Sequence, residues 1–305
     1  MQDKKILVIG PTFLDIATNI DFENLHNLKN STVFSPGGKG YNIAHTLRLF
    51  DAPTILATIY GKDEIGNYLD KCIKKEHIES PKNNSAEGVS SGVFVAVLDN
   101  NGNALFDKAD IDILKQQKFP EIQWSDISIV IVLSSTHNKI LEKLKQVKKD
   151  YPSIKFCLEM SGSKTSKNIA PYLSYFDFFI SNYKEAQSIG KILNTKDDVQ
   201  EIIHKLLENI DLVIITHDKY DIFVGNSKSK NLIKKYDIKN VVKNVISSIG
   251  AGDTFTATFC AAYYYYQKPI EQSINIAMEM SSLTVSNKEP FIKKAPKNLY
   301  NLLVI

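Results

Sequence analysis

Short runs of aliphatic and β-branched residues alternate with longer amphipathic segments along most of this chain. The runs have the length and composition of buried strands. The clearest of them lie at 6–10, 54–60, 127–133 and 212–216. From residue 127 onward, helical spacing follows the strands, at 139–149, 184–189 and 199–209. Strands that alternate with helices predict an α/β fold with a doubly wound, mostly parallel sheet and helices on both faces.

Two regions depart from this alternation. Short alternating runs at 16–20 and 32–34 suit antiparallel strands better than a helix. The pair Asn101-Gly102 lies between two further apolar runs, which strongly predicts a hairpin. Together these segments predict a small sheet outside the main one, formed by about residues 11–35 and 89–112.

A second feature is the run Ile249-Gly250-Ala251-Gly252-Asp253, which opens an apolar helical pattern. Glycines let backbone N–H groups approach a ligand, and the first N–H groups of a helix attract an anion of phosphate size. A carboxylate would repel that anion, so Asp253 suggests a base that takes a proton from an attacking hydroxyl. The alternative is that Asp253 caps the helix, and these residues alone leave both interpretations open.

A third feature is the glycine-rich run Gly37-Gly38-Lys39-Gly40-Tyr41-Asn42, which opens another helical pattern. Glycines here would allow a small ligand to approach, and the amide of Asn42 offers both a donor and an acceptor. A glycine-rich loop without a ligand is a common alternative. In parallel α/β sheets ligands bind beyond the carboxyl ends of the strands. Polar residues expected at that edge are Asp15, Asn182, Glu185, Thr216 and Asp253.

Composition narrows the classes of function. The chain has 305 residues and a formal net charge of +3, with dispersed lysines, which does not favour nucleic-acid binding. Cys72, Cys157 and Cys260 lie far apart, so neither a disulfide framework nor a zinc site is expected, and a reducing cytoplasm suits them. No signal peptide is expected, and no apolar run reaches the ~20 residues of a membrane span.

At this point the motifs resemble those of a known family. The runs Gly37–Ala44 and Gly250–Phe255 resemble the two signatures of the ribokinase, or PfkB, family of sugar and nucleoside kinases. The segment Asn182-Tyr183-Lys184-Glu185 resembles the Asn-x-x-Glu motif of that family. The resemblance covers essentially the whole chain. It implies one ribokinase-like kinase domain over residues 1–305 with a small β lid, and transfer of the γ-phosphoryl group of ATP, with Mg²⁺, to an alcohol.

The resemblance also implies roles for particular residues. Asp253 would be the catalytic base, and charge on the phosphoryl group would be stabilised by the backbone of Gly250, Ala251 and Gly252. The residues implied in substrate binding are Asp15, Gly38, Lys39 and Asn42. The residues implied in nucleotide binding are Asn182, Glu185, Thr216 and Asp218. Glu185 would act on Mg²⁺ indirectly, through water.

Three departures from the family pattern bear on these expectations. Asp218 and Asp221 follow the strand at Thr216, where glycines are frequent in the family. The pair Ser247-Ser248 replaces an Asp-Thr pair whose carboxylate helps to hold a monovalent cation, so potassium activation is not expected. The run 134–136, after the strand at 127–133, holds no acidic substrate contact.

The resemblance divides over the substrate. The segments 98–111 and 161–173 resemble pseudouridine kinases, whereas the lysine at Lys39 is closer to ribokinases. We expect phosphorylation of pseudouridine at its 5′-hydroxyl, with ribose as the alternative substrate. Lys108, Asp110 or their backbone would face the uracil edge, and the alternative is that these residues are solvated charges on a lid strand. A protein that binds a sugar or nucleoside without turnover is a further alternative. An exposed edge of the lid sheet would be a surface for a homodimer.

Overall fold

The computed structural model describes residues 4–19, 32–99, 104–217, 221–230, 232–237, 246–287, 289–294 and 296. The chain divides into two compact units. Unit 1 comprises Met1–Ile122 and Val242–Ile305, and unit 2 comprises Gln123–Val241. Within the described ranges, no helix combines the length and apolar character that crossing a membrane requires.

The first part of unit 1 contains eight described strands and two helices. Their bounds are β1 (Lys5–Ile9), β2 (Phe13–Asn19), β3 (Thr32–Gly37), α1 (Lys39–Leu49), β4 (Thr54–Ala57), β5 (Tyr60–Gly61), α2 (Glu64–Lys75), β6 (Ser85–Ala86), β7 (Val93–Leu98) and β8 (Ala104–Ala109). Strands β1 and β4 pair in parallel and are almost wholly buried, as their uninterrupted apolar runs predict. Asp63 caps α2, because its Oδ1 accepts the Gly66 N–H at 2.7 Å.

A separate four-stranded sheet, called the small sheet below, has the order β3-β2-β7-β8. The pairs β2–β3 and β7–β8 are antiparallel, and β2 and β7 are parallel. This confirms the prediction of a small sheet; the turn at Asn101-Gly102 lies outside the described residues. The register places Asp15, Phe94 and Ala109 on one face, called the inner face. The other face, called the outer face, carries Ile16 and Lys108.

Unit 2 alternates strands and helices, as predicted. Its elements are β9 (Ile127–Leu133), α3 (Asn138–Asp150), β10 (Lys155–Glu159), α4 (Ser166–Ile169), β11 (Phe178–Asn182), α5 (Tyr183–Ile192), α6 (Val199–Leu207), β12 (Leu212–His217), β13 (Asp221–Asn226) and β14 (Ile233–Asp237). Strands β9 to β12 pair in parallel, and β13 and β14 continue the sheet in antiparallel fashion. The mostly parallel α/β sheet is therefore confirmed.

The second part of unit 1 is helical. It contains α7 (Ala251–Cys260) and α8 (Ile270–Thr284). The α-helix α7 ends at Cys260, and the chain continues as a π-helical segment, Ala261–Tyr265. Helix α7 packs against both α1 and α8. The hydroxyl of Thr284 lies 2.9 Å from that of Thr254, which ties α8 to the first turn of α7.

Candidate active site

The glycines before α1 bring the start of this helix against the β1–β2 connection. Gly38 has a φ of 81°, and the N–H groups of Gly40 and Tyr41 donate to the carbonyl of Pro11 at 3.0 and 3.3 Å. A Cβ on Gly40 would lie 2.7 Å from the carbonyl carbon of Gly10. Gly38 and Gly40 are thus required by the approach of two chain segments, whereas the sequence interpretation assigned them to the approach of a ligand.

Asp15 lies directly under this loop, on the inner face of the small sheet. A Cβ on Gly37 would overlap its carboxylate, and Asp15 is only 6% exposed. Burial raises the pKa of Asp15 to about 8; the backbone N–H of Gly38 opposes this shift, and the charge of Asp253 adds to it. The Oδ1 atom of Asp15 has no hydrogen-bond partner within the described ranges. A buried acceptor without a partner is suited to a ligand that brings a donor.

Asn42 and Asp253 meet from distant parts of the chain. The Nδ2 of Asn42 donates to Oδ2 of Asp253 at 2.8 Å, and both side chains are buried. The ammonium of Lys39 lies 3.8 Å from Oδ1 of Asp253. In the described part of the chain the Oδ1 of Asn42 has no partner, so it is a second open acceptor. Unit 1 therefore brings together four of the predicted site residues: Asp15, Lys39, Asn42 and Asp253.

The turn before α7 is closely packed at Gly250 but has open space beside Gly252. Gly250 precedes the helix with a left-handed φ of 82°, and a Cβ there would overlap the carbonyl of Pro290. A Cβ on Gly252 would meet no heavy atom within 4 Å. Ala251, Gly252 and Asp253 are the first three residues of the helix, where N–H groups have no helical partner and attract anions.

This geometry bears on the two interpretations of Asp253. The residue that precedes α7 is Gly250, and no side chain caps the helix there. The carboxylate of Asp253 instead contacts Asn42 and Lys39 on α1. A buried carboxylate, two open acceptors and a helix N-terminus thus lie in one unit, and transfer of an anionic group to a hydroxyl would use groups of these kinds.

The predicted nucleotide residues belong to unit 2. Asn182 caps α5: its Oδ1 accepts the Glu185 N–H at 2.9 Å, and Oε2 of Glu185 accepts the Asn182 N–H at 3.2 Å. The Oε1 of Glu185 accepts the Gly162 N–H at 2.7 Å. Thr216 is in register with Asn182 on the neighbouring strand, so the two lie side by side. Asp218 lies outside the described residues.

The three departures from the family pattern have structural counterparts. Asp221 is in β13, and its Oδ1 lies 3.0 Å from Nζ of Lys235. This ion pair offsets the negative charge of one of the two carboxylates that replace glycines of the family pattern. Ser247 is buried, and its hydroxyl accepts the Ile249 N–H at 3.2 Å. The hydroxyl of Ser134, at the end of β9, accepts the Ser161 N–H at 2.7 Å and so joins two loops of unit 2.

Lys108 and Asp110 are both exposed, as the alternative of solvated charges on a lid strand expects. Lys108 is in register with Val95, so it lies on the outer face of the small sheet, away from Asp15. Asp110 accepts the Asp112 N–H at 3.2 Å and shapes the turn after β8. The residue opposite Asp15 on the inner face is Phe94, which the sequence analysis did not identify. Alternation alone could place Phe94 on a face, but only the register between β2 and β7 makes it a neighbour of Asp15.

A family model and a known relative each match most of this chain. A family model described as pfkB family carbohydrate kinase matches residues 3–297. A ribokinase from Dictyostelium discoideum is 27% identical over 281 residues, which cover 83% of this chain and 84% of the relative.

Solved structures show the same fold. A ribokinase structure from Giardia lamblia has a TM-score of 0.79 and 19% identity, with 94% of this chain and 96% of that chain covered. An adenosine kinase from Sinorhizobium meliloti has a TM-score of 0.79 and 13% identity, with 96% and 97% covered. The fold is therefore ribokinase-like. Since the family model spans nearly the whole sequence, this chain belongs to the PfkB family of carbohydrate kinases, which transfer a phosphoryl group to an alcohol.

Proposed function

We propose that this protein phosphorylates the primary hydroxyl of a ribose-type sugar or ribonucleoside with ATP. The observation that carries the proposal is the carboxylate of Asp253, buried at the first turn of α7 and held by Asn42 at 2.8 Å. The family of this protein implies ATP as the co-substrate and, in general, Mg²⁺. We therefore propose that the reaction uses both ATP and Mg²⁺. We also propose that the two units act as one kinase domain in the cytoplasm.

The proposed reaction uses the residues of unit 1 in distinct roles. The open acceptors of Asp15 and Asn42 receive hydrogen bonds from two sugar hydroxyls, which orients the primary alcohol toward Asp253. Its oxygen forms the new bond to the γ-phosphorus, the bond to the ADP oxygen breaks, and the proton passes to Asp253. Negative charge on the transferring group is stabilised by the backbone N–H groups of Gly250, Ala251 and Gly252 and by the ammonium of Lys39.

For the nucleotide, we propose binding by Asn182, Glu185, Thr216 and Asp218. Both carboxylate oxygens of Glu185 accept backbone N–H groups, which fixes their direction. An anchored carboxylate of this kind suits a water bound to Mg²⁺ better than direct coordination. When bound with ATP, Mg²⁺ neutralises charge on the phosphates.

Between nucleoside and free sugar, the inner face of the small sheet favours a nucleoside. Phe94 lies directly opposite Asp15 and is half-buried. One side of its ring packs against a buried cluster formed by Phe13, Ile59, Ile113 and Leu114, which fixes the position of the ring. An aromatic ring beside a diol-binding carboxylate suits a substrate that carries a planar base. We therefore retain pseudouridine, phosphorylated at its 5′-hydroxyl, as the proposed substrate and ribose as the alternative.

The substrate is tested by comparing kcat/KM for pseudouridine, uridine and ribose in one assay of ADP production. Phe94→Ala should lower kcat/KM for the preferred nucleoside about tenfold or more and leave that for ribose within about twofold, because stacking on a base contributes about 1–3 kcal/mol. The control Phe106→Ala removes an exposed ring on the outer face and should change neither value. Ribose as the best substrate would favour the alternative.

A non-catalytic binding protein is tested by the same assay. ADP production that depends on one of these substrates, and that is lost in Asp253→Asn while the substrate still binds, is expected for the kinase. Binding of a sugar or nucleoside without any ADP production would instead support the non-catalytic alternative.

We also propose that the small sheet forms a homodimer. Its outer face exposes Phe34 at 63% and Phe106 at 55%, next to the partly exposed Ile16, Val95 and Val97. Large exposed apolar side chains on one face, with β3 and β8 as edge strands, suit a second copy of the chain. Sedimentation equilibrium should give a dimer, and Phe34→Lys should give a monomer; a monomeric wild type would refute this surface.

A further inference from the structure

One buried titratable side chain of unit 1 has no role in the reaction proposed above. His45 lies on α1, three residues after Asn42, and is 2% exposed. Its Nε2 is 3.0 Å from the carbonyl oxygen of Ile292, and its Nδ1 is 3.6 Å from a carboxylate oxygen of Glu76. Burial lowers the pKa of His45, against the raising influences of the Ile292 carbonyl and Glu76. A neutral imidazole that donates through Nε2–H follows from this environment.

The segment that His45 holds also shapes the turn before α7. The carbonyl of Pro290, two residues before Ile292, packs on Gly250 so closely that no Cβ fits there. Between these contacts lies Phe291. Its ring centroid is 4.4 Å from that of His45 and 5.8 Å from that of Tyr41. Residues 290–292 therefore contact α1 on one side and Gly250 on the other.

We propose that His45 is a positioning residue, which holds segment 290–292 against Gly250 and so fixes the turn that presents the N–H groups of α7 to the transferring phosphoryl group. The inference rests on the proposed function, since it holds that a side chain on α1 fixes the N–H groups at the start of α7, which are proposed to bind the phosphoryl group. Its physical basis is preorganisation: donors for a developing charge work only when they are fixed before the reaction. A displacement of about 1 Å can cost about a hundredfold in rate.

The inference predicts that substitution of His45 lowers kcat but leaves KM for the sugar nearly unchanged. The turn before α7 acts on the transferring group, whereas Asp15 and Asn42 bind the sugar. In His45→Leu, which keeps the bulk but leaves the Ile292 carbonyl without its donor, kcat should fall about tenfold to a hundredfold. KM for the sugar should stay within about twofold. His45→Gln can offer an N–H to the same carbonyl and should recover most of kcat.

Two controls separate positioning from loss of fold. The stoichiometry of substrate binding, measured by calorimetry, should stay near one per chain, so that a fall in kcat is not a fall in active protein. Tyr266→Phe removes a hydroxyl that donates to the carbonyl of Phe50, just after the other end of α1. It should lower Tm without lowering kcat. If Tyr266→Phe lowers kcat as much as His45→Leu does, the effect of His45 is general destabilisation and the inference fails.

A double-mutant cycle tests the route through the segment. His45 and Phe291 act on the same three residues, so the losses in kcat from His45→Leu and Phe291→Leu should be strongly non-additive. Additive losses, or an unchanged kcat in His45→Leu, would overturn the inference while leaving the proposed function intact. A wild-type protein without turnover on any sugar or nucleoside would instead refute the proposed function.

Discussion

Replacement of Asp15 by Asn tests the electrostatics of the substrate site without any substrate. The folded protein holds this carboxyl among buried groups, with one N–H donor from Gly38 and the charge of Asp253 nearby, and its pKa rises to about 8. In the unfolded chain its pKa is the ordinary 3.8. At neutral pH Asp15 is therefore protonated in the folded state and ionised in the unfolded state, so folding takes up one proton. Asn has the same shape, keeps an acceptor for the Gly38 N–H and does not titrate.

The size and sign of the effect follow from linkage. Because the folded pKa is raised, the contribution of Asp15 to stability is fully present below about pH 4 and is lost as the pH rises toward about 8. Between these limits the loss is about 1.4 kcal/mol per pH unit. The stability of Asp15→Asn relative to the wild type should therefore increase by about 3 kcal/mol between pH 5 and pH 7.

The assay is urea unfolding of both proteins, ligand-free, at several values between pH 5 and pH 8. The quantity to compare is the difference in free energy of unfolding between Asp15→Asn and the wild type at each pH. Contributions from all other titrating groups cancel in this difference. Asp63→Asn is the matched control. Its carboxylate accepts hydrogen bonds from Ser91 and Gly66, which outweigh burial and lower its pKa. It is therefore ionised in both states over this range, and its difference from the wild type should be constant.

A difference between Asp15→Asn and the wild type that does not change with pH would refute the reasoning. It would mean that the folded protein holds Asp15 as a carboxylate, solvated or paired in a way the described contacts do not include. A decrease in the difference with rising pH would be a stronger contradiction, since it would require a stabilising partner for the charge.

Three further outcomes are expected from the same site. Asp253→Asn should lower kcat by about 10²–10⁴-fold while sugar binding, measured by calorimetry, persists, because Asn cannot accept the proton; near-normal kcat would remove Asp253 as the base. Potassium should change the rate little at constant ionic strength, because Ser247 offers no carboxylate; saturable activation would contradict this. Gly250→Ala should lower Tm by several degrees, since its Cβ would overlap Pro290, whereas Gly252→Ala should leave Tm nearly unchanged and reduce kcat; equal Tm losses would contradict the open approach at Gly252.

Elements with strong local signals could be predicted from the sequence. The strand at Ile127–Leu133 has the bounds expected from its apolar run, and the cap at Asp63 follows from a polar residue before a helical pattern. The glycine runs located the starts of α1 and α7, because a positive φ at Gly38 and Gly250 is a local requirement. Local composition carries such features, since each depends on residues that are close in sequence.

Features that depend on tertiary contacts could not be predicted. The sequences of β2 and β7 each predict which residues share a face of the strand. Neither sequence predicts that Asp15 is in register with Phe94. Without that register, Lys108 could be placed beside the substrate, and a shift of one residue moves a side chain to the opposite face. His45 gave no signal at all, because its partners lie at Glu76 and at Ile292, the latter 247 residues away.

Asp15 and Asp253 are both buried in unit 1 but have different environments, which fits the different functions proposed for them. Asp253 contacts an amide donor and an ammonium group, so its charge has partners and it is suited to accept a proton during the reaction. Asp15 is equally buried but has an open Oδ1 and a raised pKa, so its environment favours a neutral carboxyl until a ligand supplies donors. These two environments support the proposed roles of a base for Asp253 and of a hydroxyl acceptor for Asp15. A diol that donates to Asp15 would stabilise the charged form, and substrate binding would then release a proton without touching the base.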